Sequence, residues 1–175
     1  DRRGVVDRGV AQALLAQRRA DVKLVFMGTR HPNPAVPVMR AVDETIALAR
    51  ELGVLDTHVG YTGGWLENPT YHDTHDSKSG HAEAIRVTFD PSRLTYEELL
   101  EKWFFRLHDP TTLNRQGNDV GTQYRSAIFF HGGAQQKAAA ESKRKLEETR
   151  AFPGPIVTQI VAAGPFYRAE EYHQQ

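Results

Sequence analysis

The sequence contains no cysteine among its 175 residues. That excludes disulfides, zinc–thiolate sites and any thiol redox centre belonging to these residues. It also lacks an excess of either charge: Lys plus Arg and Asp plus Glu number 22 each, which removes the electrostatic ground for binding nucleic acid or an anionic membrane. No apolar run approaches the roughly 20 residues that cross a bilayer. The opening Asp1-Arg2-Arg3-Gly4 has no signal-peptide core. A soluble, cytoplasmic protein acting on a small molecule is expected, with no cofactor and an oligomeric state the sequence leaves open.

What is present reads as one domain, long enough for a core without staples. Residues 1–20 read as a separate helical extension, with Val6, Val10, Ala13 and Leu14 at helical spacing, and 21–175 as the domain. A strand is expected at 23–27, ending at Gly28, followed by a loop stiffened by Pro32, Pro34 and Pro37. A helix then runs over 37–52, with Val38, Val42, Ile46 and Ala49 as its buried stripe. Strands follow at 54–60 and 84–89, separated by the Gly63-Gly64 turn and a polar loop over 65–80. Thr95, with Glu98 three residues on, predicts a capped helix to about residue 107. A long loop over 108–125 leads to a strand at 126–130, a charged helix at 134–150 and a closing strand at 156–162. Loops this long in a compact domain are usually functional or disordered, and its polar, hydrogen-bonding composition suggests an ordered wall rather than a floppy linker. No glycine-rich phosphate fingerprint appears, so the expected class is α+β, a two-layer sandwich with a mixed β-sheet and packed helices.

Four blocks carry the chemistry. They are Gly60-Tyr61-Thr62-Gly63-Gly64, Asn68-Pro69-Thr70-Tyr71, Gly80-His81-Ala82-Glu83 and the stretch from His108-Asp109-Pro110 to Asn118-Asp119-Val120-Gly121-Thr122-Gln123-Tyr124-Arg125-Ser126. Together they resemble the peptide methionine-S-sulfoxide reductase A family. That resemblance implies its fold. It implies that Glu83 protonates or hydrogen-bonds a sulfoxide oxygen, that Tyr71 and Tyr124 hold the same oxygen, and that Asp119 polarises the site through water. A carboxyl group in a partly dry pocket loses solvation for its charged form, so its pKa rises and it can serve as an acid near neutrality. The phenols can stabilise developing negative charge.

The resemblance also exposes a gap. Members of that family attack the sulfoxide sulfur with a cysteine in Gly-Cys-Phe-Trp-Gly, and the corresponding stretch here is Gly28-Thr29-Arg30-His31-Pro32. Thr29 stands for the cysteine, and Arg30 and His31 for the aromatic pair. These three, with Gly60, Tyr61 and His81, are expected to line the substrate pocket. An alcohol has almost no alkoxide at neutral pH, so a Thr29 nucleophile is disfavoured. His72 and His75 invite a metal reading, set aside because no ligand spacing is met. An acid site without its nucleophile leads to the expectation of a non-redox enzyme. Its acid–base chemistry would act on a polarised S=O, C=O or C=N group. The alternatives are a non-catalytic sulfoxide-binding protein, or weak sulfoxide reduction by an external thiol.

Overall fold

Alternation along two strands decides how the domain is layered. In the strand Ala82–Phe89, Val87 and Phe89 join one apolar cluster, while Ala82 and Ala84 join another on the opposite face. The strand Ala127–Phe130 divides in the same way, Ile128 to the first cluster and Ala127 and Phe129 to the second. A single sheet buried on both sides is the result. The computed structural model describes residues 20–24 and 53–174 of the chain.

Among the described residues, six strands form the main sheet. They are β1 (Ala20–Leu24), β2 (Val54–Thr62), β3 (Ala82–Phe89), β6 (Ala127–Phe130), β7 (Gln159–Ala162) and β8 (Phe166–Arg168). Their order is β7-β6-β1-β3-β2-β8. All neighbours are antiparallel except β6 and β7, so the sheet is mixed. The parallel pair requires a crossover, which helix α4 (Gly132–Glu148) supplies between β6 and β7. β4 (Arg115–Gln116) and β5 (Asp119–Val120) make a small separate hairpin.

The helical layer starts at the expected cap. Thr95 accepts from the Glu98 N–H at 3.2 Å, and Glu98 Oε2 accepts from the Thr95 N–H at 3.1 Å. Helix α2 (Tyr96–Glu98) continues through a π-helical stretch, Leu99–Phe104, into α3 (Phe105–Leu107). Leu99, Leu100, Phe104 and Phe105 are all buried, packing with Val87, Phe89, Ile128 and Ile156. Each such side chain contributes about 1.5–3 kcal/mol by leaving water.

Several expectations needed correction. The first strand begins at Ala20 rather than 23, since its backbone pairs with β3 from Ala20↔Phe89 onward. The segment 65–80, read as loop, contains helix α1 (Tyr71–His75), capped by Thr70 and Asp73. The segment 108–125 contains the β4–β5 hairpin and a 3-10 turn, Thr122–Tyr124. Gln116 staples it by accepting from the Asp109 N–H at 3.0 Å and donating to the Asp109 carbonyl at 2.8 Å. The last predicted strand shrinks to β7, because the Val157 N–H is taken by the Pro110 carbonyl at 2.9 Å. β8 was not foreseen. The helical extension over 1–20, apart from Ala20, and the helix at 37–52 lie outside the described residues.

Candidate active site

Glu83 lies on β3 directly opposite Tyr61 of β2. Along this face Val87 and Phe89 enter the helical core, and Glu83 occupies the opposite end of β3, a strand that also touches the 3-10 turn carrying Tyr124. Burial, followed by the charge of Asp119, pushes the Glu83 carboxyl from the usual 4.5 up to about 7. Burial first and the Glu83 charge second raise the phenols of Tyr71 and Tyr124 above their ordinary value, whereas Tyr61 is raised by burial and by Glu170, with Glu83 a smaller cause. The structure thus gathers Glu83, Asp119, Tyr71 and Tyr124 from β3, the β4–β5 hairpin, α1 and the 3-10 turn into one electrostatic neighbourhood.

The phenols are placed by two devices that sequence reasoning missed. Glu170 is the first. Its Oε2 accepts from the Tyr61 hydroxyl at 2.8 Å and its Oε1 from the Tyr71 N–H at 2.8 Å. The second bond satisfies a donor left free in the first turn of α1. Burial disfavours the Glu170 charge, but these bonds outweigh it and hold the carboxyl below the usual glutamate range. Gln123 is the second device. It is 2% exposed, donates from Nε2 to the His75 carbonyl at 2.8 Å and accepts from the Ser77 hydroxyl at 2.6 Å. This clamps the end of α1 beside Tyr124. Gly121, at φ 151°, makes room, since a Cβ there would lie 2.3 Å from Gln123 Oε1.

Three of the residues expected around a substrate serve the frame instead. His81 is 2% exposed, accepts at Nδ1 from the Gly64 N–H at 3.0 Å and binds the Leu66 carbonyl through Nε2 at 2.8 Å. A carbonyl only accepts, so Nε2 carries the proton and both ring nitrogens are engaged. Gly60 has no room for a side chain: a Cβ would meet the Tyr167 carbonyl at 2.2 Å and the Phe166 ring at 2.5 Å, which lets β8 pair with β2. Tyr61 is 2% exposed with its hydroxyl committed to Glu170. Thr29, Arg30 and His31 lie outside the described residues. Glu170 has no local signal, because its partners are distant in the chain, and Gln123 lies inside the Gly121-Thr122-Gln123-Tyr124 block, whose order along the chain does not announce its bonds to Ser77 and the His75 carbonyl. The Thr70…Asp73 capping pair was the local sign of α1.

His108 looks chemical and is structural. Its Nδ1 donates to the Phe104 carbonyl at 2.8 Å, so its Nε2 accepts from the Ser126 hydroxyl at 2.7 Å, which accepts in turn from Thr158 at 2.8 Å. Burial holds its pKa below the usual value. Among the described residues, no three His, Asp or Glu side chains converge as a metal site would require. No helix among them is long and apolar enough to cross a membrane. Two clefts, of about 410 and 290 Å³, lie around Leu146 and Phe152 and include none of the candidate site residues.

A sequence profile of the peptide methionine sulfoxide reductases matches residues 44–175. A peptide methionine sulfoxide reductase of Methanothermobacter thermautotrophicus is 59% identical over 123 residues, 70% of this chain and 72% of that protein. One from Geobacter metallireducens is 51% identical over 126 residues, 72% of this chain and 77% of its own length. Among solved structures, Mxr1 of Saccharomyces cerevisiae in reduced form superposes with a TM-score of 0.73 at 30% identity, over 90% of this chain and 83% of that one. Methionine sulfoxide reductase A of Corynebacterium diphtheriae gives 0.70 at 34% identity, over 90% and 73%. The mixed sheet with packed helices is therefore the fold of these reductases. The same relatives overturn the expectation of a non-redox, acid–base enzyme with a different activity: at 51–59% identity they are named as reductases. The profile match begins after Thr29, Arg30 and His31, so it does not pair those residues with the family's cysteine loop.

Proposed function

Since this chain belongs to the peptide methionine sulfoxide reductase family, we propose that it acts in the reduction of methionine sulfoxide in peptides. It holds and protonates the sulfoxide oxygen, while a thiol outside this sequence provides the electrons. The observation that carries this reading is Glu83, half-buried beside Asp119 with its carboxyl pushed up to about 7. Such a group is partly protonated at neutral pH, as a proton donor to S=O must be. The phenols of Tyr71 and Tyr124 share its surroundings and are suited to hold the oxygen as its negative charge grows.

The electron balance places the reductant elsewhere. A sulfoxide becomes a thioether by gaining two electrons, and its oxygen leaves as water after taking two protons. Two thiols supply both by joining as a disulfide, the first attacking the sulfoxide sulfur and the second releasing the thioether. This sequence has no cysteine, and a threonine hydroxyl cannot cycle to a disulfide. The residues here contribute recognition and a proton, worth about 10²–10⁴-fold in rate, but not the positioned nucleophile.

The experiment is incubation of the full chain with racemic N-acetylmethionine sulfoxide and dithiothreitol, followed by chiral chromatography. One epimer should disappear faster than with dithiothreitol alone, and Glu83→Gln should slow that excess by about 10²-fold. A rate equal to the protein-free control, for both epimers, refutes the proposal.

A further inference from the structure

The proposed reaction leaves unexplained why two phenols from separate elements meet at one imidazole. The hydroxyl of Tyr71, on α1, lies 3.5 Å from His75 Nδ1, and the hydroxyl of Tyr124, on the 3-10 turn, lies 3.5 Å from the same atom. Tyr71 and His75 stand four residues apart on α1, so their side chains share a face. Their rings stack with centroids 5.4 Å apart and planes 25° from parallel. Tyr71 also packs against His173, with centroids 5.1 Å apart. The His75 backbone is fixed by Gln123, the residue before Tyr124.

We infer that His75 is a positioning residue for sulfoxide recognition, holding the hydroxyls of Tyr71 and Tyr124 over one point without consuming them. The inference rests on the reductase reading above and adds a residue to it. A single ring nitrogen offers one lone pair or one proton in the ring plane, so it cannot engage both phenols fully at once. At 3.5 Å each contact is at the long end for a hydrogen bond, where the interaction is weak. A phenol held this way keeps its aim, yet can turn its hydrogen bond to an arriving sulfoxide oxygen at little cost. A tight partner would hold the proton back, and no partner would let the ring swing. Tyr61 shows the contrast, since its hydroxyl is bound to Glu170 at 2.8 Å and is not free to turn.

The experiment measures binding without any thiol, so that no turnover intervenes. N-acetylmethionine sulfoxide and its thioether, N-acetylmethionine, are titrated by calorimetry into the wild-type full chain, His75→Phe and His75→Asn, with the fold of each checked by its melting transition. Phenylalanine keeps the stack and removes the nitrogen, whereas asparagine returns a polar atom near the Nδ1 position. His75→Phe should weaken sulfoxide binding about fivefold to tenfold, the scale of one modest hydrogen bond. His75→Asn should bind within about twofold of wild type, and thioether binding should be the same in all three proteins. Unchanged sulfoxide binding in His75→Phe overturns the inference. So does equal loss in both variants, or a loss shared by the thioether. A wild-type chain that does not prefer sulfoxide over thioether sinks the reductase reading itself, and this inference with it.

Discussion

Replacing Glu83 with glutamine keeps the shape of the protonated side chain and removes its titration, which makes stability and activity move in opposite directions. In the folded protein this carboxyl titrates at about 7, against an ordinary value of 4.5, because burial first and Asp119 second penalise its charge. A raised carboxyl pKa means that the folded state binds the proton more tightly than the unfolded chain does. The associated stability is complete below about pH 4.5 and is lost as pH climbs through about 7. At 1.36 kcal/mol per pH unit that interval corresponds to about 3 kcal/mol, and the solvent contact that Glu83 retains reduces it to ~2 kcal/mol. Glutamine never acquires the charge, so Glu83→Gln should match wild type near pH 4.5 and exceed it by ~2 kcal/mol at pH 8.5. For a chain of this length that equals roughly 4–8 °C in melting temperature. Urea unfolding followed by circular dichroism at several pH values gives both curves. Parallel curves, with no gap opening between pH 5 and 8, would refute the burial argument for Glu83. Sulfoxide reduction by the same variant should fall about 10²-fold, since the amide has no proton to deliver.

Two further variants probe the frame. Glu170→Ala removes the acceptor of the Tyr61 hydroxyl and the Tyr71 N–H and should cost about 2 kcal/mol in urea unfolding, the scale of losing bonds to a charged acceptor. The wild-type carboxyl is held below the usual range, so this contribution should fade as pH falls through that depressed value and persist at neutral pH. Gly121→Ala places a Cβ 2.3 Å from Gln123 Oε1 at a positive φ. It should destabilise by about 1–3 kcal/mol and weaken sulfoxide binding by releasing α1 and Tyr124 together. Retention of full binding with only lower stability would show that Gln123 does not position the phenols.

Particular elements show where local pattern sufficed. The Thr95/Glu98 capping box placed the start of α2 correctly, because both halves of that signal lie within one turn. The alternation in 84–89 and the run at 126–130 located β3 and β6 to within two residues. Helix α1 carried an equivalent signal in Thr70 and Asp73, but it is five residues long and no apolar stripe follows, so periodicity missed it. β8 is short and becomes a strand only by pairing with β2, where Gly60 lets it approach. The π-helical stretch Leu99–Phe104 buries Leu99, Leu100 and Phe104 in the core, and no helical repeat in the sequence announces it.

For the site, the motif blocks named Glu83, Asp119, Tyr71 and Tyr124, and the fold brings them together. They also named His81 and Gly60, which proved to be fixtures of the frame. Motifs record which residues recur together, not whether a side chain faces a cavity or a carbonyl. Glu170 reaches Tyr61 and the Tyr71 backbone from far along the chain, and Gln123 and His75, although neighbours of Tyr124 and Tyr71 in sequence, join the two phenols only through contacts between distant segments.

The amino-acid sequence by itself determined the family, the mixed α+β class and the absence of any thiol, because composition and motif identity are properties of the chain read in order. Tertiary structure alone decided that burial and Asp119 raise the Glu83 carboxyl to about 7 and that the Tyr71 and Tyr124 hydroxyls share one imidazole. Desolvation and side-chain geometry are sums over groups that only folding makes neighbours.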